Sequence, residues 1–304
     1  MSLVSIITVN YNNAAITEDL LQSIICKNNF TDIEIIVVDN GSKVNSVPGW
    51  METYPSIKFI RSETNLGFAG GNNLGIRAAK GHYLFLVNND TEVTENLVSI
   101  LACTLDKNRN VGIVSPAIFF FDTPDIFQYA GFSEMNFLNG RNETIGLGEK
   151  NTGQYNNRIA KTAYAHGAAM MVRRAAINKA GLMAENFFLY YEELDWCERI
   201  KQQGFEIWVN TNAVIFHKES MSVGKTSALK EYYMNRNRIL FIRKHASFFT
   251  YSLFLIYFIG VVCLRNILSY IRLKQYGFIA ILFKAIAWNF TNNVDSKRLY
   301  FPGK

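Results

Sequence analysis

Three polar clusters in this sequence follow directly on apolar runs: Thr8-Val9-Asn10-Tyr11-Asn12, Asp39-Asn40-Gly41-Ser42 and Asn88-Asn89-Asp90. Each carries side chains suited to holding a phosphorylated ligand. Asp39 comes after four apolar residues, so its carboxylate could accept hydrogen bonds from a base ring or from ribose hydroxyls; a plain Asn-Gly turn explains the same residues. Asp90 has the setting of a single carboxylate ligand for a hard divalent cation that also binds diphosphate oxygens. Such an ion would neutralise charge on a departing diphosphate. A helix cap before residues 94–105 is the alternative. The stretch Asn65-Leu66-Gly67-Phe68-Ala69-Gly70-Gly71-Asn72-Asn73 lies at an expected helix start, where backbone N–H groups and the helix dipole favour phosphate. It is neither a GxGxxG dinucleotide pattern nor a loop ending in Gly-Lys-Ser/Thr.

A second kind of chemistry is offered by Tyr190-Tyr191-Glu192-Glu193-Leu194-Asp195-Trp196-Cys197. Carboxylates this close disturb one another's titration, and an adjacent pair tends to raise one pKa. One of them could take a proton from a sugar hydroxyl, while acids complementing a helix dipole are the bland reading. His217 ends a short apolar run and could ligate a metal or serve only the structure.

The elements that must position these residues read as α/β. Apolar, β-branched runs at 3–9, 33–38, 57–60, 83–87 and 112–118 alternate with helical patterns at about 15–27, 70–79 and 95–107. Runs such as Ile35-Ile36-Val37-Val38 imply strands buried on both faces, as in a mostly parallel sheet covered by helices. Ligands of open sheets sit beyond the carboxyl ends of strands, which puts the three polar clusters on one rim. Residues 121–160 are rich in Asn and Gly and read as a long binding loop or lid. Regular structure resumes with a strand at 168–172, helices near 174–179 and 194–203, and short strands at 206–209 and 214–216.

Charge divides the chain in two. Residues 1–224 hold 18 Lys/Arg against 23 Asp/Glu, whereas residues 225–304 hold 13 against 2. The basic part opens with a helical pattern at about 229–244 and is then strongly apolar over 248–264 and 276–290. Positive charge beside that much apolar surface points to anionic lipid rather than nucleic acid. Seventeen residues fall short of the roughly 20 needed to cross a bilayer, so helices lying in the interface fit best. A re-entrant hairpin, or a buried pair or homodimer contact, is the alternative. The four cysteines are far apart and form no CxxC pair, which speaks against a disulfide framework or a zinc knuckle and for a reducing compartment. Residues 3–9 lack a basic leader and a cleavage site and read as the first strand.

In order and spacing, the segments 4–12, 37–42, 65–73, 86–91, 167–171, 187–197 and His217 together resemble family 2 glycosyltransferases of the GT-A fold, particularly the bacterial rhamnosyltransferase-like branch, over about residues 3–245. The resemblance implies an inverting, metal-dependent hexosyltransferase, with a catalytic domain at 1–224 and a helical tail at 225–304. It implies that Thr8, Asn10, Tyr11, Asp39 and Ser42 line the nucleotide pocket, with Asn65, Gly67, Asn72 and Asn89 near the donor sugar and diphosphate. Asp90 matches the last acid of the family's DxD-like motif, here Asn-Asn-Asp, so Mg2+ or Mn2+ would rest on Asp90, His217 and the diphosphate. Glu193 or Glu192 would be the base, Asp195 would orient the acceptor or the helix, and Tyr191 and Trp196 would face the acceptor. The implied donor is a nucleotide diphosphate sugar, L-rhamnose from dTDP being one candidate. The implied acceptor is a saccharide or lipid-linked saccharide at the cytoplasmic face of a membrane. A binding module that kept the pocket and lost turnover is the competing class, and an NAD(P)-binding sheet is disfavoured because the first βα turn has no glycine.

Overall fold

A computed structural model describes residues 2–218 and 227–300. The chain runs β1 (Val4–Asn10), α1 (Ala14–Lys27), β2 (Ile33–Asn40), α2 (Val47–Thr53), β3 (Lys58–Ser62), α3 (Gly67–Ala78), β4 (Tyr83–Val87), β5 (Thr91–Val93), α4 (Leu97–Lys107) and β6 (Val111–Phe120). It continues through β7 (Phe127–Tyr129), β8 (Ile159–Lys161), β9 (Ala169–Arg173), α5 (Arg174–Ala180), α6 (Glu192–Gln202) and β10 (Glu206–His217). The C-terminal helices are α7 (Ala228–His245), α8 (Phe248–Tyr257), α9 (Leu264–Arg272) and α10 (Gly277–Thr291), with a π-helical stretch, Phe258–Cys263, joining α8 to α9.

One sheet holds the molecule together, in the order β3-β2-β1-β4-β9-β6-β10-β5, with β7 on β6 and β8 on β10. Its first half, β3-β2-β1-β4, is parallel, as the buried apolar runs imply. The second half is mixed, because β9 enters antiparallel between β4 and β6. The two strands read at 206–209 and 214–216 are one strand, β10, whose register on β6 shifts between Asn210 and Val214. That irregularity interrupts the apolar pattern and makes one strand look like two in sequence.

Side chains pack on both faces of the sheet. Ile7, Ile36, Val38, Leu84, Leu86 and Val172 face α3, α6 and α7. Ile6, Phe85, Val87 and Val114 face α1 and α4, whose Leu97, Val98, Leu101 and Leu105 form a helical stripe. Helix α3 lies close on β1, because a methyl group on Gly75 would stand 2.4 Å from Ile7 Cγ2. Helix α7 contributes Ile239, Leu240, Phe241 and Ile242 to the same core as the sheet. The expected division at 224/225 falls outside the described residues, and α7 packs as part of the α/β body.

Helices α8 and α9 with the π stretch make one apolar helix, Phe248–Arg272, of 25 residues and mean hydropathy 1.9 over its most apolar window. By length and composition it could cross a bilayer, longer than the 17 residues expected. Its burial is one-sided: Phe254, Phe258, Val262 and Tyr270 pack inward while Phe248, Phe249, Ile256, Leu264 and Leu268 are exposed. Helix α10 packs on α7 through Ala285 and Trp288, and on the π stretch and α9 through Leu282.

Candidate active site

The carboxyl ends of β1, β2 and β4 meet at one rim, and a cavity of about 180 Å3 opens there. Tyr11, Asn65, Gly67, Asn72, Asn89 and Asp90, all singled out in the sequence, line it, with Phe68, Phe188 and Leu229. Thr8, Asn10, Asp39 and Ser42, expected in the nucleotide pocket, are not among the residues that line this cavity. They are buried behind the cavity wall. Asn10 Nδ2 donates to Asp39 Oδ2 (3.3 Å) and Ser42 Oγ (3.1 Å), and Asp39 Oδ1 accepts from the Ser42 N–H (2.9 Å) and from Arg61 Nη1 (3.2 Å). Asn89 joins this knot through Thr17, whose hydroxyl donates to Asn10 Oδ1. Buried polar groups need partners; Asn10, Asp39 and Ser42 supply them to one another and so fix the strand ends, whereas the buried Thr8 hydroxyl has none among the described residues. Arg61, just past the expected third strand, was missed although the strand-end rule pointed to it.

The Asn/Gly stretch, expected to cradle a phosphate at a helix start, opens α3 and lines the cavity with Asn65, Gly67, Phe68 and Asn72. Asn40 Nδ2 donates to Asn65 Oδ1 and to the Gly67 carbonyl, and its Oδ1 accepts from the Leu66 N–H (3.0 Å). Gly67 has φ +73, and a Cβ there would stand 2.2 Å from the Phe188 carbonyl oxygen. That oxygen accepts the Phe68 N–H at 2.7 Å. This glycine therefore lets the start of α3 touch the segment that precedes the acidic helix.

Asp90 is not a helix cap: Asn96 holds the position before α4. Antiparallel pairing of β5 with β10 puts Thr91 opposite His217, so His217 Nε2 lies 3.1 Å from Asp90 Oδ1. On the other side of the ring, Nδ1 lies 2.7 Å from Gln128 Oε1. Gln128, from β7 within the stretch 121–160, was not foreseen; nothing in a Phe-Gln-Tyr triplet marks it. With Nδ1–H donating to this carbonyl oxygen, Nε2 turns a lone pair toward a carboxylate oxygen. Two acceptors facing each other, with the second ring nitrogen fixed by an amide, fit a divalent cation. Among the described residues no group of three or more His, Cys, Asp or Glu converges, so the protein offers two ligands. His166 faces His217 with ring centroids 6.2 Å apart, and burial with the charge of His217 pushes its pKa down to about 3.

The acidic helix lies beside this rim. A methyl group on Gly167 would stand 3.7 Å from Phe68 Cζ, in the cavity wall, and 3.9 Å from the carboxyl carbon of Glu193. The neighbouring Ala168 carbonyl accepts the Asn88 N–H (2.9 Å), two residues from Asp90. Burial pushes Glu193 up to about 7. Glu192 is 3% exposed with Oε2 unpartnered, and burial together with the charge of Glu193 raises it well above the carboxylate range. A carboxyl so enclosed keeps its proton, which leaves Glu193, facing the more open side, as the group able to exchange one.

Of the expectations for this helix, that for Trp196 is corrected, while Asp195 fits its helix-orienting alternative. Asp195 is fully buried, and its oxygens meet Arg199 Nε (2.8 Å), Lys244 Nζ (2.7 Å) and His245 Nε2 (2.9 Å). Burial opposes the charge, but the His245 hydrogen bond and the Arg199 and Lys244 charges outweigh it and hold this carboxyl well below the usual range. It ties α6 to α7 and is no candidate base. Trp196 is also fully buried, its indole N–H on the Gly181 carbonyl (2.8 Å), so it belongs to the core and not to an acceptor surface. Tyr191 lies at the edge, its hydroxyl 3.4 Å from the Gly140 carbonyl oxygen.

The segment leading into α6 is strained. Phe188, Tyr190 and Tyr191 have φ of 65, 68 and 73, a region costly for side chains of this size. Asn237 of α7 holds it by donating to the carbonyls of Phe187 (2.9 Å), Leu189 (2.8 Å) and Tyr190 (2.7 Å). Arg236, stacked 4.0 Å from the Trp288 ring, donates to the Asn186 carbonyl. The basic helix was read for its charge alone, and these roles were missed.

The chain is similar to the low-salt glycan biosynthesis hexosyltransferase Agl10 of Haloferax volcanii, with 28% identity over 245 residues, 78% of this chain and 74% of that protein. It is similar at 22% identity to the N-acetylglucosaminyl-diphospho-decaprenol L-rhamnosyltransferase of Mycobacterium tuberculosis, over 64% of this chain and 70% of that one. The crystal structure of GalNAc-T7 with UDP, GalNAc and Mn2+ shares the fold, with a TM-score of 0.65 at 16% identity over 80% of this chain; the chain spans 48% of that structure. Glycosyl transferase family 2 matches residues 5–181, more than half of the sequence, and includes the polar rim and Asp90: the chain belongs to that family, on a GT-A fold.

Proposed function

We propose that this chain moves a sugar from a nucleotide diphosphate donor to a hydroxyl of a saccharide or lipid-linked saccharide, with inversion at the anomeric carbon. What supports the reading is the approach of Glu193 to the wall of the donor cavity, since Gly167 lies between Glu193 and Phe68, which lines that cavity together with Asp90. On one side, the Asp90–His217 pair and the polar rim suit a diphosphate. On the other, Glu193 has its pKa lifted to about 7, where a carboxylate can take a proton near neutral pH.

In this reading Asn65, Asn72 and Asn89 bind the donor from the cavity wall, and Asp90 and His217 would hold a divalent cation, which neutralises charge on the leaving diphosphate. The acceptor hydroxyl gives its proton to Glu193 as its oxygen bonds to the anomeric carbon. The bond from that carbon to the diphosphate breaks with its electron pair on the nucleoside diphosphate. One displacement with no covalent intermediate inverts configuration. The hexosyltransferase and rhamnosyltransferase relatives favour L-rhamnose, from dTDP, as the first donor to test. The exposed apolar face of α8 and α9, with Arg265, Arg272 and Lys274 beside it, supports attachment in the plane of an anionic membrane surface.

The test is transfer by the purified chain from a panel of nucleotide sugars with Mg2+ or Mn2+, with product configuration read by NMR. Transfer with inversion, abolished in both Asp90→Ala and Glu193→Gln, is expected. Retention of configuration, or full activity in both variants, would defeat it.

A further inference from the structure

A second cavity, of about 430 Å3, lies between the 140–142 turn, the first turns of α7, and α9. It is separate from the donor cavity, yet adjoins it: Leu229 lines the donor cavity and the next residue, Lys230, lines this one. Tyr191, immediately before the carboxyl pair, forms another wall. We infer that this cavity binds the diphosphate of a lipid-linked acceptor, through Arg141, Lys230 and Arg238.

Charge is the first reason. Arg238 is 7% exposed, and burial, with Arg141 and Arg265 nearby, disfavours its charge. Its guanidinium donates to the Asn139 carbonyl and lies 5.5 Å from the Phe258 ring centroid. Among the described residues, no carboxylate forms an ion pair with Arg141, Lys230, Arg238 or Arg265. A buried cation without a counter-ion is costly, and an anion supplied by a ligand removes that cost. The one acid in the wall, Glu231, is engaged by the Tyr270 hydroxyl and by Asn235 Nδ2 (2.6 Å).

An unused donor is the second reason. Asn142 Nδ2 is buried, has no hydrogen-bond partner and belongs to a residue of this wall. Buried amide donors are rarely left unpaired, and a diphosphate oxygen would satisfy it.

Position selects the acceptor as the source of the anion. The cavity ends on one side at Tyr191, next to Glu192 and Glu193, and on the other at Asn266 of α9. Beyond Asn266, Leu264, Leu268 and Ile271 are exposed. A diphosphate here has its sugar toward the carboxyl pair and its hydrocarbon chain along the apolar face of α9. The donor's own diphosphate has its place beside Asp90. This assignment rests on the transferase reading above, whose donor half is tested separately.

The experiment measures binding of geranyl diphosphate, geraniol and inorganic pyrophosphate to the full chain by calorimetry, with the donor cavity saturated by a nucleoside diphosphate. Arg141→Ala/Lys230→Ala removes two cations outside the core, and Arg238→Gln is a second variant. Geranyl diphosphate should bind more tightly than either fragment and weaken by about tenfold or more in the double variant, roughly 1.4 kcal/mol. Nucleoside diphosphate binding should be the same in both proteins. Equal affinity for geranyl diphosphate in wild type and double variant would overturn the site. Pyrophosphate binding as tightly as geranyl diphosphate would overturn the lipid source, leaving a free polyanion. Loss in the variant confined to phosphatidylglycerol vesicles, with geranyl diphosphate unaffected, would make the patch a membrane-headgroup contact and overturn it too. If the wild type binds no nucleotide, the transferase reading fails; if it binds nucleotide and no geranyl diphosphate, only this inference fails.

Discussion

Replacing Glu193 by Gln keeps size and hydrogen-bonding shape but removes the group that can accept a proton. Burial lifts this carboxyl from its ordinary value of 4.5 to about 7. At pH 6 about one molecule in eleven would carry the ionised base, and at pH 8 about ten in eleven, so turnover should rise roughly tenfold between them. The Gln variant should lose about 100- to 10,000-fold in kcat, the usual worth of a general base, together with that limb. Stability should move the other way. A carboxyl raised in the folded state holds a proton that the unfolded chain has lost, so stability falls as pH rises from 4.5 to about 7. Removing the group relieves a cost on the order of 1–3 kcal/mol above pH 7. The assays are initial transfer rates from pH 5.5 to 9 and thermal unfolding over the same range. A Glu193→Gln protein that is inactive because it is less stable, or that keeps both its rate and its pH limb, would refute the reasoning.

The remaining predictions concern the groups around that base. Glu192→Gln should keep measurable transfer at pH 8, because burial, not its neighbour's charge, is the leading cause of the Glu193 shift; loss equal to that of Glu193→Gln would transfer the role to Glu192. Gln128→Ala should weaken Mn2+ dependence by about 10- to 100-fold, read from the metal concentration at half-maximal rate. Asp195→Asn should cost about 3–5 kcal/mol in denaturant unfolding at pH 7, since it leaves buried cations unpaired. In the parent protein the contribution of that depressed carboxyl is present above its unfolded value and is lost as pH falls below about 4. Asn237→Ala removes the side-chain donor shared by three carbonyls, those of Leu189 and Tyr190 among them, and should lower kcat and stability together, by about 1–3 kcal/mol in unfolding.

The rim was legible because strand ends in α/β sheets are marked by a switch from β-branched apolar to polar residues, and Asn10, Asp39 and Asp90 each sit at such a switch. What those residues touch was not legible. Asp39 reads like a ligand-binding carboxylate, yet Arg61 and Asn10 occupy its oxygens, because β3 and β1 lie on either side of β2. Trp196 reads like a sugar platform beside acids, but it is wholly enclosed in the core, its indole N–H held by the Gly181 carbonyl from the loop after α5, a tertiary contact that local spacing does not encode. The glycines of α3 signal close packing on β1 as strongly as they signal phosphate. Gln128 and Asn237 act through tertiary contacts 89 and about 50 residues away along the chain, separations that no local pattern encodes.

The central claim is that Asp90 and His217 hold a cation against the donor diphosphate while Glu193 acts from the other side. Calorimetric titration of nucleoside diphosphate with and without Mn2+, in wild type, Asp90→Ala and Glu193→Gln, tests it most directly. Binding should be strengthened by Mn2+ in wild type and in Glu193→Gln, and be indifferent to Mn2+ in Asp90→Ala. Equal strengthening in Asp90→Ala, or no nucleotide binding in any of the three proteins, would contradict it.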